Sequence, residues 1–117
     1  LKLPDQIVVK GSWGWASLPV EIAWPAPKAV PVSISVGSLK GQEGAKGAMI
    51  KPDLDIRIVP LDGWKGKLLG TSPRRFALQI YLSSDLPSGD YLGRLGIKAT
   101  RGGARALSFP VRLKVER

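Results

Sequence analysis

The sequence predicts an all-β protein: two antiparallel sheets packed face to face, with about seven strands between them. Three observations predict it. Apolar residues recur with period two in one segment after another, and no stretch carries the 3.6-residue period of a helix. Gly (14) and Pro (10) make up about one residue in five, against roughly 12% in an average protein. The excess falls between the apolar runs, where it marks turns. In Leu86-Pro87-Ser88-Gly89-Asp90-Tyr91, a turn cluster stops one strand and an aromatic opens the next.

Each element follows from its own pattern. Gln6-Ile7-Val8-Val9 reads as a short first strand, interrupted by Gly11-Ser12-Trp13-Gly14-Trp15. Leu18, Val20, Ile22 and Trp24 then alternate with Pro19, Glu21 and Ala23, the mark of a half-buried strand. Val30, Val32, Ile34 and Val36 form a third, whose Pro31 belongs at an end or an edge because it offers no ladder donor. Residues 37–51 read as a long loop, with glycines at 41, 44 and 47 and a short edge strand at Ala48-Met49-Ile50. Leu54, Ile56 and Ile58 resume the alternation against Asp55 and Arg57. Residues 60–75 read as irregular around Gly63-Trp64-Lys65-Gly66.

The last third is the clearest. Phe76, Leu78, Ile80 and Leu82 face inward, with Tyr81 outward. Leu95 and Ile97 are core against Arg94 and Lys98, and Thr100-Arg101-Gly102-Gly103 is a hairpin turn. Leu107, Phe109, Val111, Leu113 and Val115 complete the core face, opposite Ser108, Arg112 and Lys114.

With 117 residues the chain is expected to form one domain over 1–117, burying about two-thirds of its unfolded surface. It begins at Leu1 with neither Met nor a signal segment, so it is expected to be mature or excised from something longer. The absence of Cys excludes disulfides, thiolate nucleophiles and Cys-based metal sites. No apolar stretch approaches the roughly 20 residues of a membrane helix. A formal charge of +9 should attract polyanions: nucleic acid, acidic polysaccharide or anionic lipid headgroups.

The corner residues carry a family resemblance. In immunoglobulin-type sandwiches a Tyr near the start of the penultimate strand bonds back to backbone just upstream; Tyr91 fits that role, with Asp85 or Leu86 as the expected acceptor. Leu86, Pro87, Gly89, Tyr91 and Gly93 resemble the Leu-Pro-x-Gly-x-Tyr-x-Gly closing hairpin of bacterial Ig-like modules. Ile34, Val36, Leu39 and Gly41, followed by Leu54, Ile56, Arg57 and Val59, resemble the N-terminal β-sandwich found beside certain glycoside hydrolase catalytic domains. Antibody-type domains carry a Cys two residues after the corner Tyr. Gly93 stands there, so the resemblance is to the disulfide-free Ig-like and fibronectin-III-like group. It implies an Ig-like antiparallel β-sandwich with a tyrosine corner, serving as a spacer, an adhesive unit or a carbohydrate-binding accessory of a secreted enzyme.

The inventory for catalysis is thin. His and Cys are both absent, which removes the commonest acid–base group and the best nucleophile. Asp53 and Asp55 share a strand face with Arg57 in this reading and make a solvated ion pair; Asp85 and Asp90 cap the corner turn. Gly41-Gln42-Glu43-Gly44-Ala45-Lys46 lacks the Gly-Lys-Ser/Thr that a phosphate loop needs. No catalytic residue, metal or cofactor is expected.

Binding residues are easier to nominate. Sugars stack on exposed flat rings, and Trp64, between glycines at a loop tip, is the best candidate. Trp13 and Trp15 would share one face if extended; burial at an end of the sandwich is expected ahead of an exposed platform. Trp24, in phase with the core, is structural, as are Tyr91 and Gly89. Arg94, Lys98, Arg112 and Lys114 are predicted on the outer face of neighbouring strands, with Arg101 and Arg105 at the adjoining hairpin. Such a face attracts anions, or serves only to stay solvated.

These residues predict a non-catalytic accessory or linking module of a secreted or cell-surface bacterial protein, with polysaccharide or a neighbouring domain as partner. A structural subunit or adhesin that pairs an edge strand with a partner's strand is the alternative. A polyanion-binding sandwich comes third, acidic glycan ahead of nucleic acid, since no aromatics interleave with the basic residues.

Overall fold

The computed structural model describes residues 6–25, 28–100 and 106–117. Its strands are β1 (Ile7–Gly11), β2 (Gly14–Ile22), β3 (Val30–Val36), β4 (Leu39–Gly41), β5 (Met49–Ile50), β6 (Ile56–Pro60), β7 (Leu68–Leu69), β8 (Arg74–Leu82), β9 (Gly89–Ala99) and β10 (Ala106–Val115). A single helical turn, α1 (Pro52–Asp55), precedes β6.

The chain is all-β, and among the described residues its strands form two sheets. The larger runs β1-β10-β9-β3-β7, with β4 joined to β9 and β5 to β4; the smaller runs β2-β8-β6. The expected figure of about seven strands is therefore low. The extra pairings are short: β4, β5 and β7 have two or three residues each, too few to show a period. Every pair is antiparallel except β1 with β10, which is parallel.

The longest strands have the clearest alternation. On β8, Phe76, Leu78, Ile80 and Leu82 are buried. On β9, Tyr91, Leu95 and Ile97 are buried, and on β10 Phe109, Val111, Leu113 and Val115. The apolar faces of both sheets join one core, to which Trp24 also belongs. Burying a side chain of this size contributes about 1.5–3 kcal/mol.

One expected strand start is wrong. Leu54 lies on α1, exposed to 78%. Pro52 takes the first helical position, which its fixed φ suits, and the Asp55 N–H closes the turn on the Lys51 carbonyl. Asp53 and Asp55 therefore do not share a strand face with Arg57, which lies on β6. The Thr100–Gly103 turn, with Arg101 and Arg105, falls outside the described residues apart from Thr100.

Candidate functional site

Tyr91 sits near the start of β9, fully buried, and its hydroxyl donates to the Pro87 carbonyl at 2.7 Å. The corner forms as expected, with the acceptor one or two residues later than Asp85 or Leu86. The turn residues explain the offset: Leu86 N–H already bonds to Ser83 O, so the chain reverses at 83–86 and Pro87 is the carbonyl brought over the ring. Gly89 enters β9 at φ 142°, where a side chain is strained. At Gly93, the antibody Cys position, an added Cβ would lie 2.9 Å from the Ser38 carbonyl and run into the Leu39 side chain. Leu39 of β4 fills that space.

The same end of the molecule is fastened by a residue that no local pattern singles out. Arg117 donates through Nε to the Ser12 carbonyl at 2.8 Å, and its remaining nitrogens reach the Ser83, Ser84 and Leu86 carbonyls. Its guanidinium also lies 3.8 Å from the centre of the Trp13 ring. Ser12 Oγ bonds to the Glu116 carbonyl at 2.6 Å. Partners more than 30 residues away in sequence leave no local pattern to read.

Trp13 and Trp15 are therefore not buried at an end of the fold: they are 61% and 41% exposed. Each is occupied on one side instead. Trp15 projects from β2 beside Tyr81 of β8, its register partner, with ring centroids 5.3 Å apart and edge-on. Arg57 stacks over Trp15 at 4.4 Å. Such cation–π contacts contribute about 0.5–1 kcal/mol at exposed sites, enough to hold a ring upright without burying it.

The four basic residues do share a face. Lys98 and Arg94 on β9, and Arg112 and Lys114 on β10, are out of phase with the core on adjacent strands. Lys10 of β1 stands opposite Lys114, and Lys40 of β4 opposite Leu92. Arg94 Nε is engaged by Ser108 Oγ at 2.7 Å, while Arg112 Nε is buried without a hydrogen-bond partner. The face is charged, with Asp90 alone as counter-charge along β9.

Trp64 is only half-buried, less exposed than a loop tip would be, because its ring packs against the core. The segment before it is a tight turn. Trp64 N–H bonds to the Leu61 carbonyl at 3.0 Å, with Asp62 at φ 56° and Gly63 at φ 78°. Two successive positive φ values define a type I′ turn, which favours Gly at the second position. The indole Nε1–H then donates to the Leu68 carbonyl at 2.7 Å, and Val32 N–H bonds to the Lys67 carbonyl at 2.8 Å. Asp62 is paired with Arg75 at 3.0 Å.

Beside this ring lies a cleft of about 800 Å³ lined by Trp64, Lys65, Lys67, Thr71, Ser72 and Arg74 over a floor that includes Pro31 and Gly70. The volume falls within the range of small-ligand sites, roughly 300–1,000 Å³. Trp15 and Trp64 do not meet. Tyr81, beside Trp15, and Arg74, in the cleft, are at opposite ends of β8, about 23 Å apart at strand rise. The cleft cations were not nominated from the sequence. They lie in an irregular stretch whose spacing gives no face, and only the pairing of β7 with β3 sets them beside the ring.

No family model matches this chain, and no curated protein does. Among solved structures it is similar to a family 123 glycoside hydrolase from Clostridium perfringens, described by its structural analysis as detailing glycolipid glycan hydrolysis. The match has a TM-score of 0.66 at 13% identity and covers 96% of this chain and 23% of that one. The likeness is one of fold.

Proposed function

We propose that this chain is a non-catalytic, Ig-like accessory or linking module of an extracytoplasmic, carbohydrate-related protein. The observation that carries the reading is the fold match: nearly all of this chain corresponds to under a quarter of a glycoside hydrolase chain. A catalytic centre in that enzyme has most of its length to occupy outside the shared part. The topology supports the Ig-like assignment. On this reading β2, β8 and β6 take the places of strands B, E and D, and β3, β9 and β10 those of C, F and G, with Tyr91 near the start of F. The sequence supports the absence of catalysis, having neither His nor Cys, and its Asp62 carboxylate is engaged by Arg75.

Assays on a panel of aryl glycosides and oligosaccharides test it. The expected result is no turnover by the purified chain, together with binding to at least one glycan. Hydrolysis that disappears on a single Asp→Asn or Glu→Gln substitution would overturn the non-catalytic reading.

A further inference from the structure

The Trp64 cleft has a composition that selects a charge as well as a shape. Three cations, Lys65, Lys67 and Arg74, and two hydroxyls, Thr71 and Ser72, surround one aromatic ring, and among the described residues no Asp or Glu lines the space. The nearest carboxylate in sequence, Asp62, is bonded to Arg75. Among the described residues none of the three cations has an ion-pair partner. Three like charges around one concavity repel each other and raise its potential, so an anion placed there gains from all three.

The ring is fixed in advance. The Leu61–Trp64 turn, the Trp64 Nε1 bond to Leu68 O and the Val32–Lys67 backbone bond hold it at three points. A group already in place loses little conformational freedom on binding.

On the carbohydrate reading above, we infer that this cleft binds an acidic sugar, a pyranose carrying a carboxylate or sulfate. The Trp64 ring takes the C–H face of the sugar, Thr71 and Ser72 bond its hydroxyls, and Lys65, Lys67 and Arg74 take the anion. A neutral sugar would leave the three cations unmatched. A nucleic acid would find one ring where base recognition uses several stacked in succession.

Calorimetric titration of the purified chain with oligogalacturonate, chitotriose and single-stranded DNA tests this, at low ionic strength and at about 0.15 M, where exposed charges are screened beyond about 8 Å. Oligogalacturonate is expected to bind most tightly and to weaken with salt. Lys65→Glu with Lys67→Glu, both exposed and outside the core, should cost about tenfold or more in affinity, since charge reversal places repulsion where attraction stood. Trp64→Phe should weaken it less. Lys10→Glu with Lys114→Glu, opposite each other at the far end of the sheet beside Asp90, should leave it within about twofold, as distant sites act independently. Chitotriose bound more tightly, with Trp64 shifted in the NMR spectrum, would overturn the acidic-sugar inference and leave the glycan reading standing. Tighter DNA binding, or loss of oligogalacturonate binding only on reversal of Lys10 and Lys114, would also overturn it. Binding of none of the three would sink the inference and the carbohydrate-binding part of the reading together.

Discussion

Tyr91 and Trp64 each send the polar end of an aromatic ring to a backbone carbonyl four residues away, at 2.7 Å in both cases. Tyr91 reaches back to Pro87 and Trp64 forward to Leu68. Their surroundings differ. Tyr91 is sealed in the core beneath a turn that Arg117 fastens from above. Trp64 has the core on one side and an open, cationic cleft on the other. In the first setting the bond satisfies a carbonyl that water reaches poorly, so it contributes to stability. In the second, water can replace the bond, and its effect is to orient a ring. One local device thus closes the fold at one end of the molecule and presents a surface at the other.

The largest difference should appear on truncation. Tyr91→Ala is expected to cost about 3–5 kcal/mol by opening a cavity. Trp64→Ala should cost less, about 1–2 kcal/mol, as the ring packs on the core on one side only and meets solvent on the other. Urea denaturation midpoints measure both, and equal losses would break the comparison.

Removal of the donor alone is the sharper test. Tyr91→Phe should cost about 1 kcal/mol, rising towards 3 if the Pro87 carbonyl stays buried without a partner. Trp64→Phe should cost less, about 0.5–1 kcal/mol, since the lost Nε1 bond is exposed and water can replace it. A Tyr91→Phe midpoint equal to wild type would mean that the hydroxyl bond contributes nothing.

The smallest effect is one of pH. Burial raises the Tyr91 hydroxyl above the ordinary tyrosine value near 10, partly offset by the positive charge of Arg117. The folded state therefore holds this proton more tightly than the unfolded one. The associated stability is fully present below about pH 10 and is lost as pH rises from there through the folded value. Wild type should lose stability more steeply than Tyr91→Phe above pH 10, as followed by midpoints across pH 9–11. Parallel curves would show that the hydroxyl titrates as freely folded as unfolded. Trp64 has no proton to lose in this range, so its variants should follow the wild-type slope.

The corner was legible because its parts are neighbours. A turn cluster, an aromatic and the carbonyl it bonds all lie within Leu86–Tyr91, and long alternating strands on either side fix which way the ring points. The core faces of β8, β9 and β10, and the shared outer face of Arg94, Lys98, Arg112 and Lys114, follow from the same period of two. Where the period runs for nine or more residues, sequence alone settles which side is buried.

Tertiary structure decided the rest, and the reason is range. Trp13 and Trp15 stand exposed because Arg117 and Arg57 reach them from 104 and 42 positions away, stacking where burial was expected. Strands of two residues, such as β7, carry no period of their own and exist only because β3 offers a partner. The cleft is built on that pairing. Lys65, Lys67 and Arg74 are unremarkable surface cations in the sequence, and they become a site when the chain between β6 and β8 folds over β3 and holds Trp64 beside them.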